Sequence, residues 1–219
     1  MASQPAAWAG PPIHRNRLVQ GLLVWYVLLW GWMAISPVDR GDWLLENILA
    51  VACVALLVVT ARRFQFSDLS YVLIILFLSV HAVGAHYTYA KVPIGFWLQD
   101  VLNAGRNPFD RVVHFAYGLL LAYPIREVLV REAGVQGVWS FFLPVSATLA
   151  QSGLFELIEA VAATMVSPEL GAAYLGTQGD EWDAQKDMAS ALAGAALMMS
   201  ITFAASKRAA SRPFLPQPQ

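Results

Sequence analysis

Residues 43–60 read Trp43-Leu-Leu-Glu-Asn-Ile-Leu-Ala-Val-Ala-Cys-Val-Ala-Leu-Leu-Val-Val-Thr60, a stretch in which a single residue is charged. A helix of this length crosses most of the ~30 Å of hydrocarbon in a bilayer. Five other apolar stretches of the chain are similar in length. We therefore predict an all-α protein, a polytopic membrane bundle of six transmembrane helices at Leu18–Ser36, Trp43–Thr60, Leu69–Tyr89, Arg111–Val130, Val138–Val166 and Asp187–Ser206.

The composition of the whole chain agrees with a membrane protein. Of its 219 residues, 58% are hydrophobic and only 13% are charged, whereas about a quarter are charged in an ordinary soluble domain. The formal net charge is −1, and no basic stripe interleaved with aromatic residues is present, which argues against nucleic acid as a partner. The single cysteine, Cys53, lies in an apolar run and excludes an intrachain disulfide.

The distribution of basic residues predicts the orientation of the bundle. With the N-terminus in the cytoplasm, nine of the 14 Lys and Arg residues fall in cytoplasmic segments and five fall on the other side. This asymmetry favours a bacterial inner (plasma) membrane protein with both termini in the cytoplasm. The ends, 1–17 and 207–219, are predicted to be disordered tails that flank a membrane domain over 18–206.

Four separate segments carry nearly all of the charge predicted to lie within or beside the spans: 81–87, 110–114, 156–159 and 180–187. At 1.5 Å per residue, the alternating direction of the spans places all four in the outer third of the bilayer, whereas the cytoplasmic half has almost nothing comparable. Ionisable groups at this depth are costly and rare, so their convergence predicts a site. Its candidate members are His81, His86, Asp110, Arg111, His114, Glu156, Glu159, Asp180, Asp183 and Asp187.

Helical spacing groups these side chains in pairs, because residues three or four apart share one helix face. The pairs are Asp110 with His114, Glu156 with Glu159, and Asp183 with Asp187. Mixed histidine and carboxylate ligands suit Zn²⁺, Mn²⁺ or Fe²⁺, and an all-carboxylate set suits Mg²⁺ or Ca²⁺. We therefore predict a divalent metal, Zn, Mn or Mg foremost. Its candidate ligands are His86, His114, Glu156, Glu159, Asp183 and Asp187.

Simpler roles stay open for individual residues. Asp110 and Asp180 suit a helix cap or first turn, where the dipole favours acids, and Asp183 and Asp187 suit first-turn positions in water. The histidines suit packing or interfacial positions, and Arg111 suits an ion pair or a lipid headgroup. The pair Glu156 and Glu159 lies toward the C-terminal end of a helix, where the dipole disfavours anions, so a functional role is favoured for it.

Two features of the predicted outer face also leave alternatives open. Glu46, near the outer start of the second span, is interpreted as an interfacial acid, with membership of the site as the alternative. The segment 90–108 contains an apolar run that is too short to span a membrane. It is either an ordinary loop with aromatic anchors or a lid over the outer face.

Four stretches carry a family resemblance: His81-Ala-Val-Gly-Ala-His86-Tyr87-Thr-Tyr89, Arg106-Asn107-Pro-Phe-Asp110-Arg111-Val-Val-His114-Phe115, Glu156-Leu-Ile-Glu159 and Gly176-Thr-Gln-Gly179-Asp180-Glu-Trp182-Asp183-Ala-Gln-Lys-Asp187-Met188. Through them, roughly from Leu18 to Ser206, the chain resembles the YjdF-type family of small bacterial inner-membrane proteins, a domain of unknown function. The resemblance implies a multi-pass inner-membrane protein and no particular activity.

A looser similarity links the chain to VanZ-like proteins, which are associated with glycopeptide-antibiotic resistance. The shared pattern is Asp-Arg-x-x-His at the head of one helix, an acid on the next helix and an Asp-rich head on the last. The chain departs from this pattern through Glu159 and the pair His81 and His86. The matching positions are Asp110, Arg111, His114, Glu156, Asp183 and Asp187.

Three functions compete at this stage. The first is a metal-dependent hydrolase or transferase that opens to the periplasm and acts on a lipid or lipid-linked envelope precursor, with Glu156, Glu159 and Asp183 as candidate catalytic residues. The second is a small-solute or proton-coupled transporter, which usually requires polar groups through the midplane. The third is a non-catalytic structural or sensory protein, in which polar contacts hold the helices together.

Overall fold

The computed structural model of this chain describes residues 13–211, which fold into eight α-helices and a short 3-10 helix, with no β-strand in that range. The predicted all-α fold is therefore confirmed. The helices are α1 (Arg17–Met33), α2 (Arg40–Thr60), α3 (Asp68–His86), α4 (Pro93–Leu102), α5 (Phe109–Arg131), α6 (Trp139–Thr164), α7 (Pro168–Leu175) and α8 (Asp183–Ala210).

Five of the eight helices are long and apolar enough to cross a membrane: α2, α3, α5, α6 and α8. The remaining candidate, α1, is also apolar but has only 17 residues. It therefore rises about 26 Å, slightly less than the ~30 Å thickness of the hydrocarbon core. Six spans with both termini in the cytoplasm therefore remain a prediction. The two predicted tails lie partly outside the described residues. In the described part, α8 continues past Ser206, the expected end of the last span, to Ala210.

The order of the long helices brings one set of their termini together. At one end of the bundle, α2, α5 and α8 begin while α3 and α6 end. We call this the site end, because the four charged segments of the sequence lie there. The short helices α4 and α7 also belong to this end, since they lie in the α3–α5 and α6–α8 connections.

The closest packing in the bundle joins α5 and α8, which both run away from the site end. A Cβ at Gly118 would lie 1.9 Å from the carbonyl oxygen of Ala191, and one at Gly194 would lie 2.1 Å from that of Phe115. Small residues allow the backbones of membrane helices to approach this closely. Gly118 also faces Ala195, 77 residues further on, the same separation as between Arg106 and Asp183. This register places the acids of the two helices side by side.

The segment 90–108 contains helix α4, which packs on α5 and leaves mainly apolar side chains exposed. Trp97 and Leu102 are 60% and 63% exposed, as expected for a helix that lies in the bilayer surface. None of its residues lines the large cavity described below. Helix α7, which the sequence analysis did not predict, contributes Ala173 and Tyr174 to that cavity and is the better candidate for its cover.

The opposite end of the bundle holds a buried acid that the sequence analysis overlooked. Glu127 of α5 is fully buried. Its carboxylate accepts hydrogen bonds from the backbone N–H of Ser67 at 2.8 Å, from the hydroxyls of Ser67 and Ser70 at 2.8 and 2.5 Å, and from Arg131. The expectation that the spans carry almost no comparable charge at this end was therefore wrong. The group ties the start of α3 to α5.

Candidate functional site

Two arginines form a paired outer layer at the site end. Arg106 donates a hydrogen bond to Asp183 at the start of α8, and its Nη2 lies 3.9 Å from Asp110. Arg111 pairs with Asp180, and its Nη2 lies 3.5 Å from Asp183. Arg106 contacts the starts of α5 and α8, and Arg111 joins α5 to α8 and to the connection before α8. These ion pairs therefore hold the helix termini together. Asp183 is thus engaged by cations rather than free to react.

Asp180 belongs to the exposed side of this layer. The Lys186 ammonium lies 2.7 and 2.9 Å from its two oxygens, and the backbone N–H of Trp182 donates to it at 3.1 Å. Hydrogen bonds from Lys186, from Trp182 and from Arg111 lower the pKa of Asp180 to about 2, so it is ionised under ordinary conditions. The predicted ion-pair interpretation of Arg111 agrees with these contacts.

A second group, deeper in the bundle, consists of Asp110, His114, Glu156 and Asp187, and we call it the inner acid cluster. His114 Nε2 lies 3.6 Å from Asp110 Oδ1 and 3.6 Å from Glu156 Oε1. One ligand atom each from Asp110, His114 and Asp187 lies within 4.8 Å of the other two. The predicted sharing of a face by Asp110 and His114 agrees with this geometry. Three helices, α5, α6 and α8, supply the cluster.

The inner acid cluster lacks the hydrogen bonds that buried carboxylates normally have. Asp187 is 2% exposed, yet its Oδ1 has no hydrogen-bond partner among the described residues, and the same holds for Oε1 of Glu156. A distance of 3.6 Å from His114 is too long for a hydrogen bond. Buried polar groups in native proteins are almost always satisfied, so these oxygens are candidates to bind a ligand, an ion, a water or a proton.

A cavity of about 380 Å³ lies beside the inner acid cluster, and Asp110 and His114 belong to both. Its polar members also include Glu46, His81 and Glu159. Its deeper walls are apolar and come from α2, α3, α5 and α6. They include Leu49, Ala50, Cys53, Phe77, Leu78, Leu121, Leu154, Phe155 and Ile158.

Two further acids of α2 lie next to this cavity. Glu46 lines it and is 6% exposed, and Asp42, one turn nearer the site end, is fully buried with both carboxylate oxygens unpartnered among the described residues. The alternative interpretation of Glu46, as a member of the site, therefore agrees with its position better than the interfacial interpretation. Glu46, Asp110 and Glu159 thus line one cavity, where ionised carboxylates would repel one another.

Two tyrosines outside the spans close the cavity at the site end. The Tyr89 hydroxyl lies 2.5 Å from His81 Nδ1, and Tyr174 of α7 lies on the wall next to Glu46 and Glu159. Burial raises the pKa of both Tyr89 and Tyr174, and the neighbouring carboxylates add to the effect. Both phenols therefore stay neutral. The Tyr89 hydroxyl is engaged by His81, whereas that of Tyr174 can donate a hydrogen bond to a ligand.

The structure brings together most of the predicted site residues but not all of them. His114, Glu156 and Asp187 meet in the inner acid cluster, and Glu159 and His81 line the adjoining cavity. His86 lies outside both groups. Its Nδ1 is 2.8 Å from the carbonyl oxygen of Met33, so it links the end of α3 to the end of α1.

Sequence reasoning named Arg106 and Asn107 only as motif residues, although both support the site. Asn107 is 1% exposed; its amide donates to the carbonyl of Val92, and its side-chain oxygen accepts from the N–H of Phe109. Gln178 exchanges two further hydrogen bonds with the Asn107 backbone, both at 3.2 Å. Composition could have pointed to these supporting residues. Uncharged polar residues recur in the connection between α4 and α5 and in the one between α7 and α8.

Comparison with known proteins agrees with the family resemblance. Residues 18–208 match the family described as "Predicted membrane protein (DUF2238)". The chain is also 45% identical over 162 residues to the "Inner membrane protein YjdF" of Escherichia coli strain K12, an alignment that covers 74% of this chain and 77% of that protein. No solved structure matches the chain. The chain therefore belongs to the DUF2238 family of multi-pass membrane proteins.

Proposed function

We propose that this protein is an inner-membrane hydrolase or transferase that binds a divalent metal at Asp110, His114 and Asp187 and acts on a lipid-like substrate held in the adjoining cavity. The location follows from the relative named as an inner membrane protein and from the excess of basic residues at the end opposite the site. With α1 as a sixth span, both termini lie in the cytoplasm and the cavity lies near the periplasmic surface.

The single observation that carries the proposal is the spacing of the candidate ligand atoms in the inner acid cluster. Two atoms that each lie about 2.1 Å from a tetrahedral metal are about 3.4 Å apart. His114 Nε2 lies 3.6 Å from one oxygen of Asp110 and 3.6 Å from one of Glu156. These separations are close to that value and too long for hydrogen bonds. A cation at this position would also relieve the repulsion among the carboxylates.

The donor set fits a metal that accepts imidazole together with carboxylates. Zn²⁺ and Mn²⁺ meet that requirement, and Mg²⁺ fits less well because of His114. Asp110, His114 and Asp187 would hold the ion, with Glu156 as a fourth ligand. When bound, such an ion supplies a water of lowered pKa and polarises a phosphoryl or acyl oxygen.

The chain's own residues have separate roles in this proposal. Glu159 lines the cavity and has no hydrogen bond or ion pair among the described residues, so it is placed to take a proton as the general base. Tyr174 donates a hydrogen bond to the substrate from the cavity wall, and Tyr89 orients His81 through their hydrogen bond. Asp183, predicted as a candidate catalytic residue, instead holds Arg106 and so positions the start of α8.

A transporter fits the cavity less well. Tyr117 and Gln151, joined by a 2.6 Å hydrogen bond, and the neighbouring Ser152 are the polar residues nearest mid-bilayer in its described lining. Beside them the wall consists of Cys53, Leu78 and Leu121, so polar groups do not continue along the lining toward the opposite end. We therefore keep transport as the second candidate.

Elemental analysis of the protein purified in detergent tests the proposal. We expect close to one equivalent of Zn or Mn in the wild type and a loss of at least tenfold in His114→Gln and in Asp187→Asn. Glu169→Gln is the matched control, because Glu169 is an exposed acid of α7 at the same end. A wild-type protein that stays metal-free after incubation with Zn²⁺, Mn²⁺ and Mg²⁺ would exclude the metal-dependent activity.

A further inference from the structure

We infer that the cavity binds an amphiphile whose polar head is cationic, an alkylamine or alkylammonium group, with its apolar body against the deeper walls. This inference names a ligand class for the cavity of the proposed enzyme but does not require a bound metal. It rests on the charge of the lining, on two unpartnered glutamates and on the aromatic side chains of the same cavity.

The charged groups that line the cavity are all acidic or histidine. Glu46, Asp110 and Glu159 face it, together with His81 and His114. Among the described residues, no lysine or arginine contributes to the lining. Arg106 and Arg111 lie in the paired outer layer and are already engaged by aspartates. In the metal-free protein, an anionic head such as a phosphate would meet only like charges from the carboxylates of the cavity wall, whereas an ammonium would meet opposite charges.

Glu46 and Glu159 are the two groups that point to a ligand. They are 6% and 9% exposed, and neither forms a hydrogen bond or an ion pair within residues 13–211. A buried carboxylate without a partner is costly, so it is normally paired with a cation or protonated. These two lie on different helices, α2 and α6, and both line the cavity. One cationic head between them would satisfy both.

Aromatic rings also line the cavity. Tyr89 and Tyr174 lie at the site end, and Phe77, Tyr117 and Phe155 lie deeper. The face of an aromatic ring attracts a cation within about 6 Å of its centroid, and aromatic groups are the usual means by which proteins recognise ammonium ligands. Carboxylates combined with aromatic walls therefore favour an ammonium over a neutral hydroxyl head.

The remaining lining describes the rest of the ligand. Beyond the glutamates the walls are mainly apolar, including Leu49, Leu78 and Ile158, and the volume of about 380 Å³ is in the range of small-molecule sites. An alkyl chain of medium length fits this shape. The site end faces one surface of the membrane, so a lipophilic amine would place its head toward that surface and its chain toward the bilayer core.

Binding of a matched series of octyl compounds tests the inference. Octylamine, octyltrimethylammonium, octanol and octyl phosphate are titrated into the protein in zwitterionic nanodiscs, and partition into empty nanodiscs is subtracted. We expect saturable binding of the two cationic compounds at least tenfold tighter than that of octanol, with octyl phosphate weakest. Glu46→Gln and Glu159→Gln should each weaken octylamine binding about tenfold or more, because each removes one charge from the pair.

Two controls separate this inference from the proposed enzyme. Glu169→Gln changes an exposed acid at the same end and should leave octylamine binding unchanged. Asp187→Asn removes a proposed metal ligand that does not line the cavity, so it should abolish metal binding and preserve octylamine binding within about twofold. Binding of octanol or octyl phosphate as tight as octylamine, no saturable binding of either cation, or unchanged affinity in both glutamine variants would each overturn the inference.

Discussion

Buried acids lie at both ends of helix α5, but the two groups differ in how many hydrogen-bond partners their carboxylates have. At the opposite end, Glu127 accepts hydrogen bonds from Ser67 and Ser70 and pairs with Arg131. At the site end, Asp187 and Glu156 face the start of α5, and each has a buried oxygen without a partner. The first group matches a structural ion pair, and the second matches a site that awaits a ligand.

The difference shows why burial of charge alone does not identify a functional site. An unsatisfied buried polar group costs about 1–3 kcal/mol, and more if it is charged. A structural carboxylate avoids that cost through its partners, as Glu127 does. Several unpartnered carboxylates in one place have no such compensation within the described chain. Their presence is better explained by something they bind than by their contribution to stability.

The largest effect is expected from removing the satisfied acid. Glu127→Ala leaves Arg131 and two serine hydroxyls without their shared acceptor, and it opens a void. We expect the free energy of unfolding to fall by about 3–5 kcal/mol, measured by thermal or denaturant unfolding in detergent. Glu132→Ala, one turn further on and exposed, is the control and should change stability by less than about 0.5 kcal/mol. A neutral Glu127→Ala would contradict the structural assignment.

A somewhat smaller loss is expected from separating α5 and α8. In Gly118→Ala the new Cβ would lie 1.9 Å from a backbone oxygen of Ala191, so the helices must move apart. We expect a loss of about 1–3 kcal/mol together with weaker metal and octylamine binding, because the acid register depends on this contact. Gly21→Ala meets nothing within 4 Å and should be neutral or slightly stabilising. Equal behaviour of the two variants would contradict the role of the close contact.

Removing the charge of an unpartnered acid should not lower the stability of the fold, in contrast to removing Glu127. Asp187→Asn removes one of several repelling charges and supplies an amide donor to its neighbours, so we expect the metal-free protein to keep its stability or gain up to about 1 kcal/mol. That gain corresponds to about 2–4 °C in melting temperature for a domain of this size. A loss above about 2 kcal/mol would show that Asp187 is a structural group like Glu127.

The smallest effect concerns the exposed ion pair. The hydrogen bonds of Lys186, of Trp182 and of Arg111 lower the pKa of Asp180 from 3.8 to about 2. A lowered pKa in the folded state means that the pair stabilises the fold above the ordinary pKa and that this contribution is lost as the pH falls toward 2. Lys186→Gln should raise the pKa of Asp180 toward 3.8, measured by NMR of the labelled carboxyl. Lys91→Gln, an exposed lysine that does not contact Asp180, should leave it unchanged.

Much of the architecture could be predicted from the sequence because it depends on local pattern. Long apolar runs predict the spans, since lipid requires each backbone group to be satisfied within its own helix. Spacing of three or four placed Asp110 and His114 on one face, as observed. Helix α7 was missed because eight residues with mixed polarity give no periodic signal, and α1 was expected to be longer than its 17 residues.

The candidate site was predicted in part, and the errors have a common physical cause. Depth along a helix placed His86 with the acids, but depth does not determine rotation, and the imidazole turns toward Met33 instead. Glu127 was overlooked because two of its partners, Ser67 and Ser70, lie at the start of α3, far from it in the sequence. The third, Arg131, lies one helical turn later in α5. Which face of a helix meets which neighbour depends on packing between helices, and that is not encoded in the spacing of one segment.

The sequence by itself determined that this chain is a helical membrane protein of the DUF2238 family with most of its acidic residues at one end. Hydropathy, helical spacing and family similarity are properties of the chain in one dimension. Only the tertiary structure decided which acids are paired and which are left open. Glycine contacts between α5 and α8 set a register that joins Arg106 to Asp183 and leaves Asp187 beside His114. Whether a buried charged side chain finds a partner depends on the distances between helices, and these distances are set only when the helices pack.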